Sequence, residues 1–288
     1  MTTPLKNTDF NTTHFPTWCP GCGDFGIWTA LKNALAALEM KPSNVLIVYG
    51  IGCSGNMSSF IKSYGFHGLH GRALPAAIGA KLANKNLKVI VVGGDGDGYG
   101  EGGNHFIHAL RGNVDITYIV HDNQVYGLTK GQMAPTTELG QPTSSTPEGT
   151  VDQALNPVAL AIAAGGSFVS QGFAGDVGQL TQLIVDAVKH PGFSHVNVLQ
   201  PCVTFNHHNT FSWFFKRVYK VESVQHDFSN KYEAFARALE WGDKIPTGLL
   251  YREIRPTWVD RVHELDGEPL ATRRIDTIDI SKTLQSFT

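Results

Sequence analysis

The sequence predicts an α/β fold, a mostly parallel β-sheet with helices on both faces, continued by a C-terminal extension. Two observations predict it. Short, strongly apolar runs alternate with segments of helical spacing between residues 24 and 202, the pattern of strands buried on both faces and joined by crossover helices. One of those runs, VIVVGG at 89–94, leads straight into a turn crowded with glycine. Open parallel sheets bind ligands beyond such strand ends.

Each element follows in order. Residues 24–40, DFGIWTALKNALAALEM, set Ile27, Leu31, Leu35 and Leu38 at helical spacing, with Ala30 and Ala34 filling the stripe. Asp24 stands where an N-cap is expected. The run NVLIVYG (44–50) reads as a strand, GRALPAAIGAKLAN (71–84) as a helix and LKVIVVGG (87–94) as a second buried strand. After the glycine-rich turn come a helix in GGNHFIHALRG (102–112) and a third strand in DITYIVHDN (115–123). Residues 129–152 are rich in Thr, Ser, Pro and Gly and read as a long loop: a lid, a partner-binding loop or an inert surface segment. Alternation resumes with NPVALAIAAG (156–165), SFVSQ (167–171), VGQLTQLIVDAVKH (177–190) and HVNVLQPC (195–202). Beyond about residue 203 it stops, leaving the aromatic cluster FSWFFKRVY and one clear helix, NKYEAFARALEW. The expected organisation is a polar N-terminal arm (1–16), an α/β domain (17–204) and an extension (205–288) that packs on the domain or on a partner subunit.

Composition narrows the function. A net charge of −2, with 42% hydrophobic and 17% charged residues, is that of an ordinary globular protein and offers no basic footprint for nucleic acid. No apolar run approaches the length of a membrane span, and the polar start MTTPLKNTDFNTTHF lacks a signal-peptide core. These features predict a cytoplasmic protein in a reducing compartment.

That placement bears on the four cysteines, Cys19, Cys22, Cys53 and Cys202. They are too few for a disulfide scaffold and match the number a tetrahedral thiolate site needs. The Cys-x-x-Cys of WCPGCG (18–23) is compatible with a metal, an iron–sulfur cluster or dithiol cycling. The preceding TTHFPTW is polar and proline-broken, unlike the core strand that leads into a thioredoxin-type pair, which counts against cycling. His67, His70, His105 and His108 read as solvated or hydrogen-bonded histidines rather than a metal site.

The turn VIVVGGDGDGYGEGG (89–103) lacks the Lys-Ser/Thr of a P-loop and an acidic residue placed for a dinucleotide ribose. Gly94-Asp95-Gly96 is instead followed, after 26 intervening residues, by Asn123 in HDNQVYG. This looks like the thiamine diphosphate motif, in which Mg²⁺ bridges the protein to the diphosphate. A hard, octahedral ion wants oxygen: the Asp95 carboxylate, the Asn123 side-chain carbonyl and the Val125 backbone carbonyl supply it.

With these pieces in view, the chain resembles the β subunit of 2-oxoacid:ferredoxin oxidoreductases, most of all the 2-oxoglutarate type. WCPGCGDFGI, GIGCSG, HGLHGRALPAAIGAK, GDGD with DNQVYGLTKGQ, and QPCVTFN carry the resemblance across residues 17–207. It implies a thiamine diphosphate-binding fold, with Mg²⁺ and one 4Fe–4S cluster held by Cys19, Cys22, Cys53 and Cys202. It implies cofactor contacts from Ile51, Gly52, Cys53, Ser54, His70, Gly94, Asp95, Gly96 and Asp97, and from Asn123, Val125, Tyr126, Gly127, Leu128 and Thr129.

The implied activity is coenzyme A-dependent oxidative decarboxylation of 2-oxoglutarate, with electrons passed to ferredoxin and the reverse direction fixing CO₂. Lys130, next to the metal-binding segment, is the candidate partner of the distal carboxylate that pyruvate lacks; His70 and Arg72 are further candidates at the substrate. The glutamate that such cofactors need has no evident source in this chain. A larger α subunit is therefore expected to supply it, in an αβ unit or its dimer. Pyruvate or broad 2-oxoacid specificity, a non-oxidative thiamine enzyme, and a non-catalytic subunit with structural zinc are the competing readings. Four thiolates suit zinc or a cluster alike.

Overall fold

The computed structural model describes residues 4–287. Helix α1 (Asp24–Ala37) precedes strand β1 (Val45–Tyr49), the short strand β2 (Tyr64–His67) and helix α2 (Ala73–Ala83). Strand β3 (Lys88–Gly94) runs into a π-helical turn, Gly96–Glu101, which continues as α3 (Gly103–Gly112). Strand β4 (Thr117–Asp122) is followed by a small hairpin, β5 (Val125–Tyr126) and β6 (Gln132–Met133). Then come α4 (Pro157–Ala163), β7 (Phe168–Phe173), α5 (Val177–Lys189), β8 (Ser194–Leu199), α6 (Phe211–Phe215), β9 (Val218–Lys220), α7 (Lys231–Ala238), β10 (Ile245–Arg252) and α8 (Ser281–Gln285).

Among the described residues, eight strands form one sheet in the order β2-β1-β3-β4-β8-β7-β10-β9. Pairings from β2 to β7 are parallel, and β10 runs antiparallel to β7. Period-two alternation divides the apolar strand residues between two cores. Ile47, Ile90, Val92, Ile119 and Val196 pack with Ile27, Leu31 and Leu35 of α1 and Leu180 and Ile184 of α5. Val48, Val91, Val120 and Val169 face Leu74 of α2, Phe106 and Leu110 of α3, and Val158 and Ile162 of α4. Each such fully buried aliphatic side chain stabilises the fold by about 1.5–3 kcal/mol.

The expected α/β architecture is therefore present, with three differences in detail. Strand β2 was not anticipated, because all four of its residues are exposed and show no buried face. Strands β9 and β10 also went unread, and β10 carries part of the C-terminal extension into the main sheet beyond residue 204. Asp24 does not cap α1. Gly23 occupies the N-cap without a side-chain bond, and the Asp24 carboxyl is buried in the interior, 2.6 Å from His121 Nδ1.

Because β1, β3, β4 and β8 are parallel, their carboxyl ends meet at one edge of the sheet. That edge gathers Gly50–Ser54, Gly94–Asp97, Asn123 and Gln200–Cys202 from four distant parts of the chain.

Candidate active site

A cleft at this edge is lined by Ile51, Gly52, Cys53, Ser54, His70, Gly94, Asp95, Gly96, Asp97, His121, Asn123, Val125, Tyr126, Gly127, Leu128 and Thr129. The structure thus brings together every residue expected at the cofactor and adds His121. Tyr126 ties the hairpin to the glycine turn by donating its hydroxyl to Gly96 O at 3.0 Å. Gly96 has to lack a side chain, since a Cβ there would collide with the Tyr126 ring.

Asp95 is buried at the cleft floor and accepts a 2.6 Å bond from Thr136 Oγ1. Burial, and then the neighbouring Asp122 carboxylate, push its acid up to about 8. No Lys or Arg among the described residues offsets this pair of acids. A buried carboxylate, Asp95, lining the same cleft as the Asn123 side chain, is a donor set that fits a hard divalent ion. Asn123 Oδ1 accepts from the Val125 N–H at 3.1 Å, which fixes the amide with its oxygen toward that segment. Asp97, by contrast, is a clamp: its Oδ1 accepts from the N–H groups of Ile51 at 3.0 Å and Gly71 at 2.7 Å.

A second cavity of about 210 Å³ is lined by all four cysteines together with Trp18, Asp24, Asn56, Lys130 and residues 203–205. Cys53, Asn123, Gly127 and Leu128 line both cavities and form the wall between them. Among the described residues no group of three or more His, Cys, Asp and Glu side chains is drawn closely enough to hold a single metal ion. All four cysteines line this one cavity, and four thiolates suit zinc or an iron–sulfur cluster alike. Burial first, then the Asp24 carboxyl, raise the Cys22 thiol far above its usual range and the Cys53 thiol to about 12; burial also raises Cys202. Thiol–disulfide catalysts need the opposite, an acidified and accessible sulfur.

Lys130 is exposed and borders the cysteine cavity, with its backbone in the left-handed region at φ 79°. His70 lines the cleft, its Nδ1 3.5 Å from Asp97 Oδ1. Arg72 is not brought to the cleft: its guanidinium donates to the backbone carbonyls of Gly71 and Glu101 at the surface. Sequence reasoning missed His121, Thr136 and Gln200. His121 and Gln200 each stand two residues before an expected ligand, a signal that adjacency alone carries; Thr136 lies in the long loop and had none.

Comparison with known proteins agrees with this geometry. Residues 50–198 match the family model of the thiamine pyrophosphate enzyme C-terminal TPP-binding domain, so this span is a thiamine diphosphate-binding domain. Residues 202–267 match the C-terminal model of the pyruvate ferredoxin oxidoreductase β subunit. The chain belongs to the 2-oxoacid:ferredoxin oxidoreductase family, as its β subunit. It is 46% identical over 270 residues to the 2-oxoacid:ferredoxin oxidoreductase subunit beta of Saccharolobus solfataricus, covering 88% of each chain. It is 32% identical over 250 residues to the 2-oxoglutarate synthase subunit KorB of Methanocaldococcus jannaschii, covering 86% of this chain and 92% of that one. The solved 2-oxoglutarate:ferredoxin oxidoreductase of Magnetococcus marinus, with 2-oxoglutarate, coenzyme A and succinyl-CoA bound, superposes with a TM-score of 0.90 at 37% identity, covering 99% of this chain and 96% of that one. No helix among the described residues is long and apolar enough to cross a membrane.

Proposed function

We propose that this β subunit, joined to a larger α subunit, carries out coenzyme A-dependent oxidative decarboxylation of 2-oxoglutarate to succinyl-CoA and CO₂. Electrons leave through a 4Fe–4S cluster to ferredoxin, and the reverse direction fixes CO₂. The observation that carries this reading is the shared wall: Cys53, Asn123, Gly127 and Leu128 face the acidic cleft on one side and the four-cysteine cavity on the other. A non-oxidative decarboxylase has no use for an electron acceptor at that position. The bound ligands of the Magnetococcus marinus relative support 2-oxoglutarate and coenzyme A as substrates.

Residue roles follow from the chemistry of the side chains. Asp95, Asn123 and Val125 offer the oxygen ligands for Mg²⁺, and Thr136 orients the Asp95 carboxylate toward it. Cys19, Cys22, Cys53 and Cys202 hold the cluster. When bound, thiamine diphosphate supplies the electron sink for loss of CO₂, and the cluster supplies a one-electron acceptor. Asp97 holds the Gly50–Gly52 and Gly71 backbones around the cleft, while Lys130 receives the distal carboxylate of the substrate. The glutamate facing the cofactor's pyrimidine comes from the α subunit, in a cytoplasmic αβ unit or its dimer.

The test is anaerobic purification of the co-expressed α and β chains, followed by metal analysis and assay on a panel of 2-oxoacids. Expected are equal iron and acid-labile sulfide, and ferredoxin reduction that requires coenzyme A and favours 2-oxoglutarate. Stoichiometric zinc in a colourless protein, or coenzyme A-dependent turnover by this chain alone, would overturn the reading.

A further inference from the structure

We infer that Gln200 sets the reduction potential of the cluster by donating an N–H···S hydrogen bond to Cys22. This rests on the four-cysteine cavity being the cluster site. Gln200 follows β8 directly and is 1% exposed. Its Nε2 lies 3.3 Å from Cys22 Sγ and 3.0 Å from Pro201 O. A carbonyl can only accept, so the second contact fixes which end of the amide faces the sulfur. The amino group therefore has one hydrogen for Pro201 O and one for Cys22 Sγ. The amide oxygen, Oε1, is buried without a partner among the described residues, so this orientation is held from the amino side.

The backbone around Gln200 leaves it little freedom. Its N–H donates to Asp122 O at 2.9 Å, and the Gly23 N–H donates to Pro201 O at 3.1 Å. Gly23 packs so tightly that an added Cβ would lie 2.8 Å from Gln200 Cγ. The start of α1 and the turn after β8 are thus locked together at the point where the amide meets the sulfur.

The direction of the effect is electrostatic. A cluster that gains one electron gains one unit of negative charge, spread over its iron atoms and its thiolate sulfurs. A hydrogen-bond donor aimed at one of those sulfurs favours the more negative, reduced state and raises the potential. The effect is strengthened in a buried, poorly screened setting. Asp24 Oδ2 lies 3.2 Å from the same sulfur, so the Gln200 donor acts against a neighbouring carboxyl. Cys202 also faces donors, but these are backbone N–H groups of residues 204–206 that no side-chain change removes. Gln200 acts through Cys22 and is a positioning residue. Its consequence is a cluster that accepts electrons from the reaction more readily and yields them to ferredoxin less readily.

The experiment compares the wild-type αβ complex with Gln200→Leu, which removes the donor, and Gln200→Glu, which keeps the shape and replaces the amino group by oxygen. Iron and sulfide content are measured first, then the cluster midpoint potential by EPR-monitored redox titration. Both variants are expected to shift to more negative potential, with Gln200→Glu shifted further. Loaded variants with the wild-type potential overturn the inference. So does a fall in iron content with no shift in the clusters that remain, the signature of a purely structural role. If neither variant loads, wild-type complex carrying glutamine labelled with ¹⁵N in its side chain is examined in the reduced state by pulsed EPR. A ¹⁵N coupling to the cluster supports the inference and its absence overturns it. A wild-type complex lacking iron and sulfide would instead overturn the cluster reading, an outcome told apart by metal content alone.

Discussion

Asp95 lines the cleft and Asp122 lies buried behind it, each acid pushed upward by burial, Asp95 further by the Asp122 charge. A divalent ion on the Asp95 carboxylate relieves its burial penalty, so Mg²⁺ with thiamine diphosphate is expected to raise the melting temperature of the complex. Asp95→Asn should abolish that rise in a thermal-shift measurement; a rise equal to wild type would count against Asp95 as a ligand. At Lys130 the positive φ and the charge have separable effects. Lys130→Gly removes the charge at a backbone position glycine adopts freely, whereas Lys130→Ala also keeps the strain. A charge-assisted contact is worth about 1.5–3 kcal/mol, so either change should lower kcat/KM for 2-oxoglutarate by roughly ten- to a hundredfold and leave pyruvate nearly unaffected. An unchanged ratio of the two substrates would exclude the contact.

Among the elements, α1 carries the most consequence for the site, because Cys22 immediately precedes its N-cap and Asp24 opens its first turn. Gly26 in that turn packs against the Ala174 carbonyl, with no room for a Cβ. Gly26→Ala should cost about 1–3 kcal/mol, as overpacking usually does, and should also lower iron content by displacing Cys22. Retention of full iron with an unchanged unfolding midpoint would show that the helix start can yield. The long loop is equally consequential: Thr136 reaches Asp95, and Thr137 Oγ1 donates to Gln124 O at 2.7 Å. The strongly periodic elements, α1, α5, β3 and β4, were legible because one or both faces are buried and the apolar spacing reports it. Others were not. Strand β2 buries no face, β9 has three residues, and β10 carries Pro246 and Gly248, which read as breakers. The candidate ligands Asp95, Asn123 and the four cysteines stand out in the sequence because each lies in a motif. Asp24, His121 and Gln200 owe their roles to partners 97 and 178 residues away in sequence.

Across the whole molecule, buried polar groups tie stability to pH. Burial holds His195 down to about 3, and His190 down to about 4 with a smaller contribution from Arg252. Tyr99 donates its hydroxyl to Asn197 Oδ1 and so accepts from His195 Nε2, leaving Nδ1 as a lone pair without a partner among the described residues. Both histidines are neutral in the folded chain, while the unfolded chain takes up their protons near pH 6.5. Their contribution is therefore complete above about pH 6.5 and is lost as pH falls toward the folded values, by up to about 1.4 kcal/mol per pH unit for each. His195→Gln should flatten the acid limb of a denaturation series run from neutral pH to pH 5; an identical slope would refute the assignment. The cysteines have a different molecular consequence. They enter the chain at residues 19, 22, 53 and 202, so during synthesis the last sulfur emerges only after most of the sheet has been made. A cluster on these four sulfurs cannot template early folding. Strands β1 to β8 are already synthesised when the fourth ligand of the proposed cluster appears, so that cluster can be completed only late in the making of the chain.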